Sequence, residues 1–158
     1  MKKILIILLL FNLNHSYAYS IEPDVFIQST VNRASQALSK NISKEDKMNE
    51  LKMIAKETVD ITGIGLYSLG SHRKGLSKDQ LANYKNVFKK YFLKSFSSRL
   101  AEYSNPQIEV NSKKKLNDNY TIVSSTLVAT DNRPKVKIEW RVYTKNPENL
   151  LIRDLIIE

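Results

Sequence analysis

Few residues in this chain of 158 are placed to do chemistry. The stretch LGSHRKGLSKDQ, residues 69–80, sets His72, Arg73 and Lys74 in a glycine-flanked turn. An imidazole, a guanidinium and an ammonium so grouped reach a phosphate through charge-assisted hydrogen bonds. A solvated loop between two helices has the same composition. Arg99 falls within the apolar stripe of a long helix, where an arginine snorkels, pairs with a neighbour such as Glu102, or meets a polar ligand group. Asp60 and Asp154 are lone carboxylates of the kind that a pocket turns into a general base. Asp154 also has Arg141 and Arg153 as ready ion-pair partners.

Catalysis finds little support in these residues. His15 lies in an N-terminal leader, so His72 is the one imidazole of the mature chain, and no serine or carboxylate pair beside it suggests a nucleophile and base. A single histidine and no cysteine cannot make a usual zinc site, and disulfides are unavailable. No phosphate loop, dinucleotide fingerprint or RNA-stacking motif is present. The expectation is a protein that is not an enzyme, with no metal, no cofactor and no nucleic-acid partner.

The opening MKKILIILLLFNLNHSYA has two lysines, an apolar run from Ile4 to Phe11, and Ser16 and Ala18 at the minus-three and minus-one positions of a cleavage site. Residues 1–18 are therefore expected to be a signal peptide, because the apolar run is shorter than the roughly 20 residues that span a bilayer. No cysteine follows to carry a lipid anchor. Losing Lys2 and Lys3 leaves 23 basic against 16 acidic residues, a formal +7. A basic protein outside the cytoplasm meets anionic membrane surfaces and partner proteins more readily than nucleic acid.

The elements that must position these groups follow from periodicity. Pro23 suits the first turn of a helix to about Ser39, with Ile27, Val31, Ala34 and Leu38 on one face. Ser43 opens SKED, an approximate capping box, and Met48, Leu51, Ile54, Ala55 and Val59 continue that helix. Gly63 and Gly65 predict a kink or restart ending at Gly70. Ser77 and Gln80 form a second capping box for a long helix reaching toward Tyr103. Its predicted buried stripe is Leu81, Tyr84, Phe88, Tyr91, Phe92, Phe96, Leu100 and Tyr103, with Asn83, Asn86, Lys90, Lys94 and Ser97 opposite. Beyond Pro106 the period becomes alternating, and strands are predicted at 108–110, 120–129, 135–144 and 150–157, joined by NSKKKLNDN, TDNRP and KNPEN. Helices first and an antiparallel sheet second give an α+β domain, residues 19–158, with the helices on one face of a curved antiparallel sheet of about four strands, an NTF2-like cone.

From Asp60 to Glu158 the chain resembles the MlaC family, also called the toluene tolerance or Ttg2-type family. The resemblance rests on Asp60, Leu69 and Gly70 before the basic turn, Gln80 in its capping box, the ladder Tyr84, Phe88, Tyr91, Phe96, Leu100 and Tyr103, the run RPKVKIEWRV with Pro134, Val136 and Arg141, and Asp154 in RDLIIE. Arg73 stands where the family usually has an aromatic residue, and Leu150 stands where another usually precedes the last strand. Family members continue past RDLIIE into further helices that help close a lipid cavity, and this chain is expected to lack them.

The resemblance implies a periplasmic phospholipid-binding shuttle without enzymatic activity. Such a protein passes phospholipid between an outer-membrane lipoprotein complex and an inner-membrane ABC transporter bearing an MCE-domain protein, which maintains outer-membrane lipid asymmetry. A monomer is expected, since a shuttle must dissociate from both membranes. Cavity walls are then expected from Ile61, Leu66, Leu69, Phe88, Phe92 and Phe96 on the helices, and from Ile122, Ile138, Trp140, Val142 and Leu155 on the sheet. His72, Arg73, Lys74 and Arg99 are the headgroup candidates. By pattern alone the same apolar residues suit a filled core. The alternative is therefore a truncated paralogue with no cavity, docking on partner proteins or anionic membrane through its lysines.

Overall fold

Each helix begins where the sequence supplies a cap. The computed structural model describes residues 20–158, and the expected signal peptide lies outside them. Helix α1, Pro23–Ser39, starts with proline at its first turn, where a missing N–H costs nothing. Helix α2, Lys44–Thr58, is capped by Ser43, whose hydroxyl accepts from the Asp46 amide at 3.1 Å. Asp60 caps α3, Ile61–Leu69, by accepting from the Gly63 amide at 2.9 Å. Gly70, at φ +54°, closes that helix into a 3-10 turn, Gly70–Gly75, as a left-handed position requires. Helix α4, Lys78–Leu100, opens with the full capping box: Ser77 accepts from the Gln80 amide and Gln80 Oε1 accepts from the Ser77 amide.

Four strands follow, β1 Ile108–Asn117, β2 Tyr120–Leu127, β3 Val136–Tyr143 and β4 Leu151–Ile157, hydrogen-bonded in sequence order and antiparallel throughout. The expected α+β architecture is present. One boundary differs: the lysine run Lys113–Lys115, expected in a turn, continues β1 to Asn117, and the chain reverses only at Asp118 and Asn119. The backbone there pairs with Thr121–Val123, and lysines on an edge strand also block pairing with another sheet. Register shifts interrupt both edge strands, β1 after Val110 and β4 at Arg153, and such bulges bend a sheet.

The stripe on α4 is rotated from the one expected. Tyr91 is 69% exposed, whereas Leu93 is buried and Ser97, expected on the polar side, is fully buried. Two neighbours share the apolar face. Leu93 packs with Ala55 and Ile61 of α2 and α3, while Phe92 and Phe96, at the edge of that group, also border the space between helices and sheet.

The hydrophobic interior is correspondingly divided. One cluster, Ile27, Val31, Val123, Val142, Leu150 and Ile152, joins α1 to the sheet. The other, Ala55, Ile61 and Leu93, joins α2, α3 and α4. Val59 packs against both. It also forms a parallel bridge to Ile152, and the Asp60 amide donates to the Ile152 carbonyl at 2.9 Å. Asp60 Oδ2 then accepts from Arg153 Nε at 2.7 Å, while Arg153 Nη1 donates to the Tyr120 hydroxyl at 2.9 Å and the guanidinium lies 3.8 Å from the Tyr143 ring centroid. Burial opposes the Arg153 charge, but the bonds to Tyr120 and Asp60 outweigh it, so its pKa is raised. Gly63 is required at this seam, because a Cβ there would collide with the Asp60 carboxylate. No helix among the described residues is long and apolar enough to cross a membrane.

Two outcomes follow from these contacts. Asp60→Ala removes both the cap and the ion pair and lowers stability by about 3 kcal/mol in urea unfolding, with Asp60→Asn, which retains the cap acceptor, losing about half of that; equal midpoints for both variants and the parent would show that the seam is not what joins the layers. In the first turn of α1, the hydrogen bond from Lys113 holds the Asp24 carboxyl below its ordinary pKa. Its contribution is thus present above the usual aspartate value, near 3.9, and lost as pH falls through the lowered one. An NMR titration should show Asp24 ionising at lower pH in the parent than in Lys113→Ala.

Candidate functional site

Between the two clusters lies a cavity of about 470 Å3, within the usual range for sites that hold small molecules. Its floor is the inner face of the sheet, where Leu127 of β2, Val136, Ile138 and Trp140 of β3, and Ile152, Leu155 and Ile157 of β4 contribute. Val31, Ala34 and Leu38 of α1 and Leu51, Ile54 and Ala55 of α2 form one wall, and Phe92, Phe96 and Leu100 of α4 another. Phe92 and Phe96 are stacked at 5.7 Å, the lower end of a ladder that continues through Phe88 to Tyr84. The ladder follows from one aromatic residue per helical turn.

Apart from Tyr103, the polar side chains on this lining are bonded within the protein. Thr30 donates to the Phe26 carbonyl, Thr58 to Ile54 and Ser35 to Pro106, each at 2.8 Å. The Trp140 indole N–H donates to Ser125 Oγ at 2.8 Å. Arg153 is engaged at the seam, and Asp154 pairs with Arg141 at 3.3 Å. Away from Tyr103, the space therefore has apolar walls without competing hydrogen-bonding groups, which suits hydrocarbon. Leu155 and Ile157 are exposed while lining it, which places an opening at the β4 side.

Of the residues expected as walls, Phe92, Phe96, Ile138, Trp140 and Leu155 line this cavity. The others are placed elsewhere. Val142 lies in the α1–sheet cluster and Ile61 in the α2–α3–α4 cluster. Leu66 and Leu69 are half-buried on α3. Phe88 packs beside Gly65, where a Cβ would meet its ring at 2.7 Å, and Ile122 alternates with the inward Val123 and so belongs to the outer face of β2. His72, Arg73 and Lys74 are exposed in the 3-10 turn and Arg99 is exposed near the end of α4; none lines the cavity. Asp60 and Asp154, considered as lone acids, are both in ion pairs. Among the described residues no group of three or more His, Cys, Asp or Glu is gathered as a metal site.

The apolar faces of α1 and α2 are legible as stripes in the sequence, but nothing in their spacing marks them as facing a void. A family model described as MlaC protein matches residues 28–158. Comparison with curated protein sequences gives no match. A solved structure of a phospholipid-binding protein from Ralstonia solanacearum, in complex with a phospholipid, is similar at a TM-score of 0.70 and 14% identity, covering 87% of this chain and 79% of that one. At that identity the likeness is one of fold.

Ser125 is fully buried and is the acceptor that fixes Trp140 on the cavity floor. Ser125→Ala leaves the indole N–H unpaired and should cost about 1 to 2 kcal/mol in urea unfolding. Ser125→Thr, which keeps the hydroxyl, should lose less.

Proposed function

The chain belongs to the MlaC family, and on that premise we propose that it is a periplasmic phospholipid carrier that holds acyl chain in the cavity between its helices and its sheet. The observation that carries the proposal is the apolar space itself, with every polar wall group except the Tyr103 hydroxyl at its rim bonded within the protein. The likeness to a fold that holds phospholipid in the Ralstonia solanacearum protein supports it.

The energetics suit a shuttle. Each methylene withdrawn from water is worth roughly 0.8 kcal/mol, so about ten buried methylenes hold a lipid by about 8 kcal/mol against escape into solution. A bilayer offers the same environment, so transfer between protein and membrane is close to balanced and the lipid moves in either direction. In the family's setting the donor and acceptor are an outer-membrane lipoprotein complex and an inner-membrane ABC transporter with an MCE-domain protein, and the outcome is maintained outer-membrane lipid asymmetry. The expected signal peptide fits export to that compartment.

The test is to express the chain with its leader in bacteria, purify it and extract bound lipid for mass spectrometry. Phospholipid should accompany the parent in near-stoichiometric amount. Ala34→Phe, which fills the cavity from α1, should abolish it while the circular dichroism spectrum is unchanged. A well-folded parent that carries no phospholipid would overturn the proposal.

A further inference from the structure

The cavity has one polar corner. Tyr103, just past the end of α4, lines it, and its hydroxyl has no hydrogen-bond partner among the described residues, unlike the threonines, serine and tryptophan deeper in. Above the Tyr103 ring, with its guanidinium carbon 4.0 Å from the centroid, lies Arg133. Arg133 and Pro134, with Glu102, border a smaller adjoining space of about 240 Å3, which shares Tyr103, Leu127 and Val136 with the main cavity. Arg133 thus stands at the rim where the apolar space meets solvent.

Its position is set by the backbone. Thr130 and Arg133 exchange amide-to-carbonyl bonds at 2.9 and 3.1 Å, closing a tight turn between β2 and β3, and Pro134 follows directly. Its head is uncommitted. Where Arg153 and Arg141 are paired with carboxylates, Arg133 has no ion pair among the described residues and only a long contact, 3.4 Å, from Nη2 to the Glu102 carbonyl. A guanidinium resting on an aromatic face keeps its five donors in a plane that suits a phosphate or carboxylate.

We propose that Arg133, with the Tyr103 hydroxyl, is the anion-recognition site of the cavity, binding the phosphate or carboxylate of an amphiphile whose tail occupies the apolar space. The proposal rests on the carrier function above and moves headgroup recognition from the turn containing His72, Arg73 and Lys74 to the opposite end of α4. In the absence of ligand the arginine is parked on Tyr103. When an anionic head arrives, two N–H groups of the fork turn onto its oxygens and the tyrosine hydroxyl donates a third bond.

The experiment is calorimetric titration of the delipidated protein with dodecyl phosphate, with dodecanol and with inorganic phosphate. The parent should bind dodecyl phosphate at least roughly tenfold more tightly than dodecanol, as expected for charge-assisted bonds to one arginine. Arg133→Ala and Arg133→Gln should erase that preference while leaving dodecanol affinity unchanged, and Tyr103→Phe should reduce it in part. An undiminished preference in both Arg133 variants would overturn this assignment and leave the carrier function standing. Binding of inorganic phosphate with the same dependence on Arg133 would make the site one for free phosphate, which also overturns it. If the folded parent binds neither amphiphile, the carrier function falls and this assignment with it.

Discussion

Arg153 has no partner of its own on β3, because β4 slips by one residue there, and that slip allows the helical layer to be fastened to the sheet. Freed from the ladder, the side chain reaches Asp60 and Tyr120 and lies on Tyr143, while the Ile152 carbonyl of β4 accepts from the Asp60 amide beside the Val59 bridge. The α2–α3 junction is thereby attached along one line. Across the molecule the corresponding contact is the stacking of Arg133 on Tyr103, which is exposed and weak. Between a firm seam and a light one, the two layers need not close on each other. Helix α1 packs on α2 and on the sheet together and keeps them apart, and this is why two small hydrophobic clusters replace the single contiguous core usual in a domain of this size.

Local chemistry was written plainly in the sequence. Proline at the head of α1, Ser43 before α2, and Ser77 with Gln80 before α4 mark helix starts by the groups that satisfy their free amides, and these are short-range facts. The alternation of Val136, Ile138, Trp140 and Val142 fixed the inner face of β3. On β2 the adjacent Ile122 and Val123 offered two registers, and the one chosen places Thr121 and Ser125 inside. Ser125 is polar by composition and interior by function, since it receives the indole of Trp140. The lysine run of β1 was hidden for a related reason: strand pairing is satisfied by backbone, which any side chain permits.

The cavity was harder to see. Hydrophobic periodicity says that a face avoids water and says nothing of what it meets instead. On α4, Leu93 meets a neighbouring helix while Phe92, one position away, borders open space. The cations are distributed differently in sequence and in space. His72, Arg73 and Lys74 are conspicuous because three stand together, whereas Arg133 is a single residue in a turn, and only the fold brings it to Tyr103, thirty positions earlier.

Trp140 is the chain's one tryptophan, and it forms part of the cavity floor with its ring held by a single bond to Ser125. Red-edge ultraviolet excitation, which passes over the tyrosines, therefore interrogates this one chamber. Its emission maximum will differ according to whether hydrocarbon or solvent touches the indole, so the proposed exchange of lipid with vesicles can be followed continuously on the unlabelled protein.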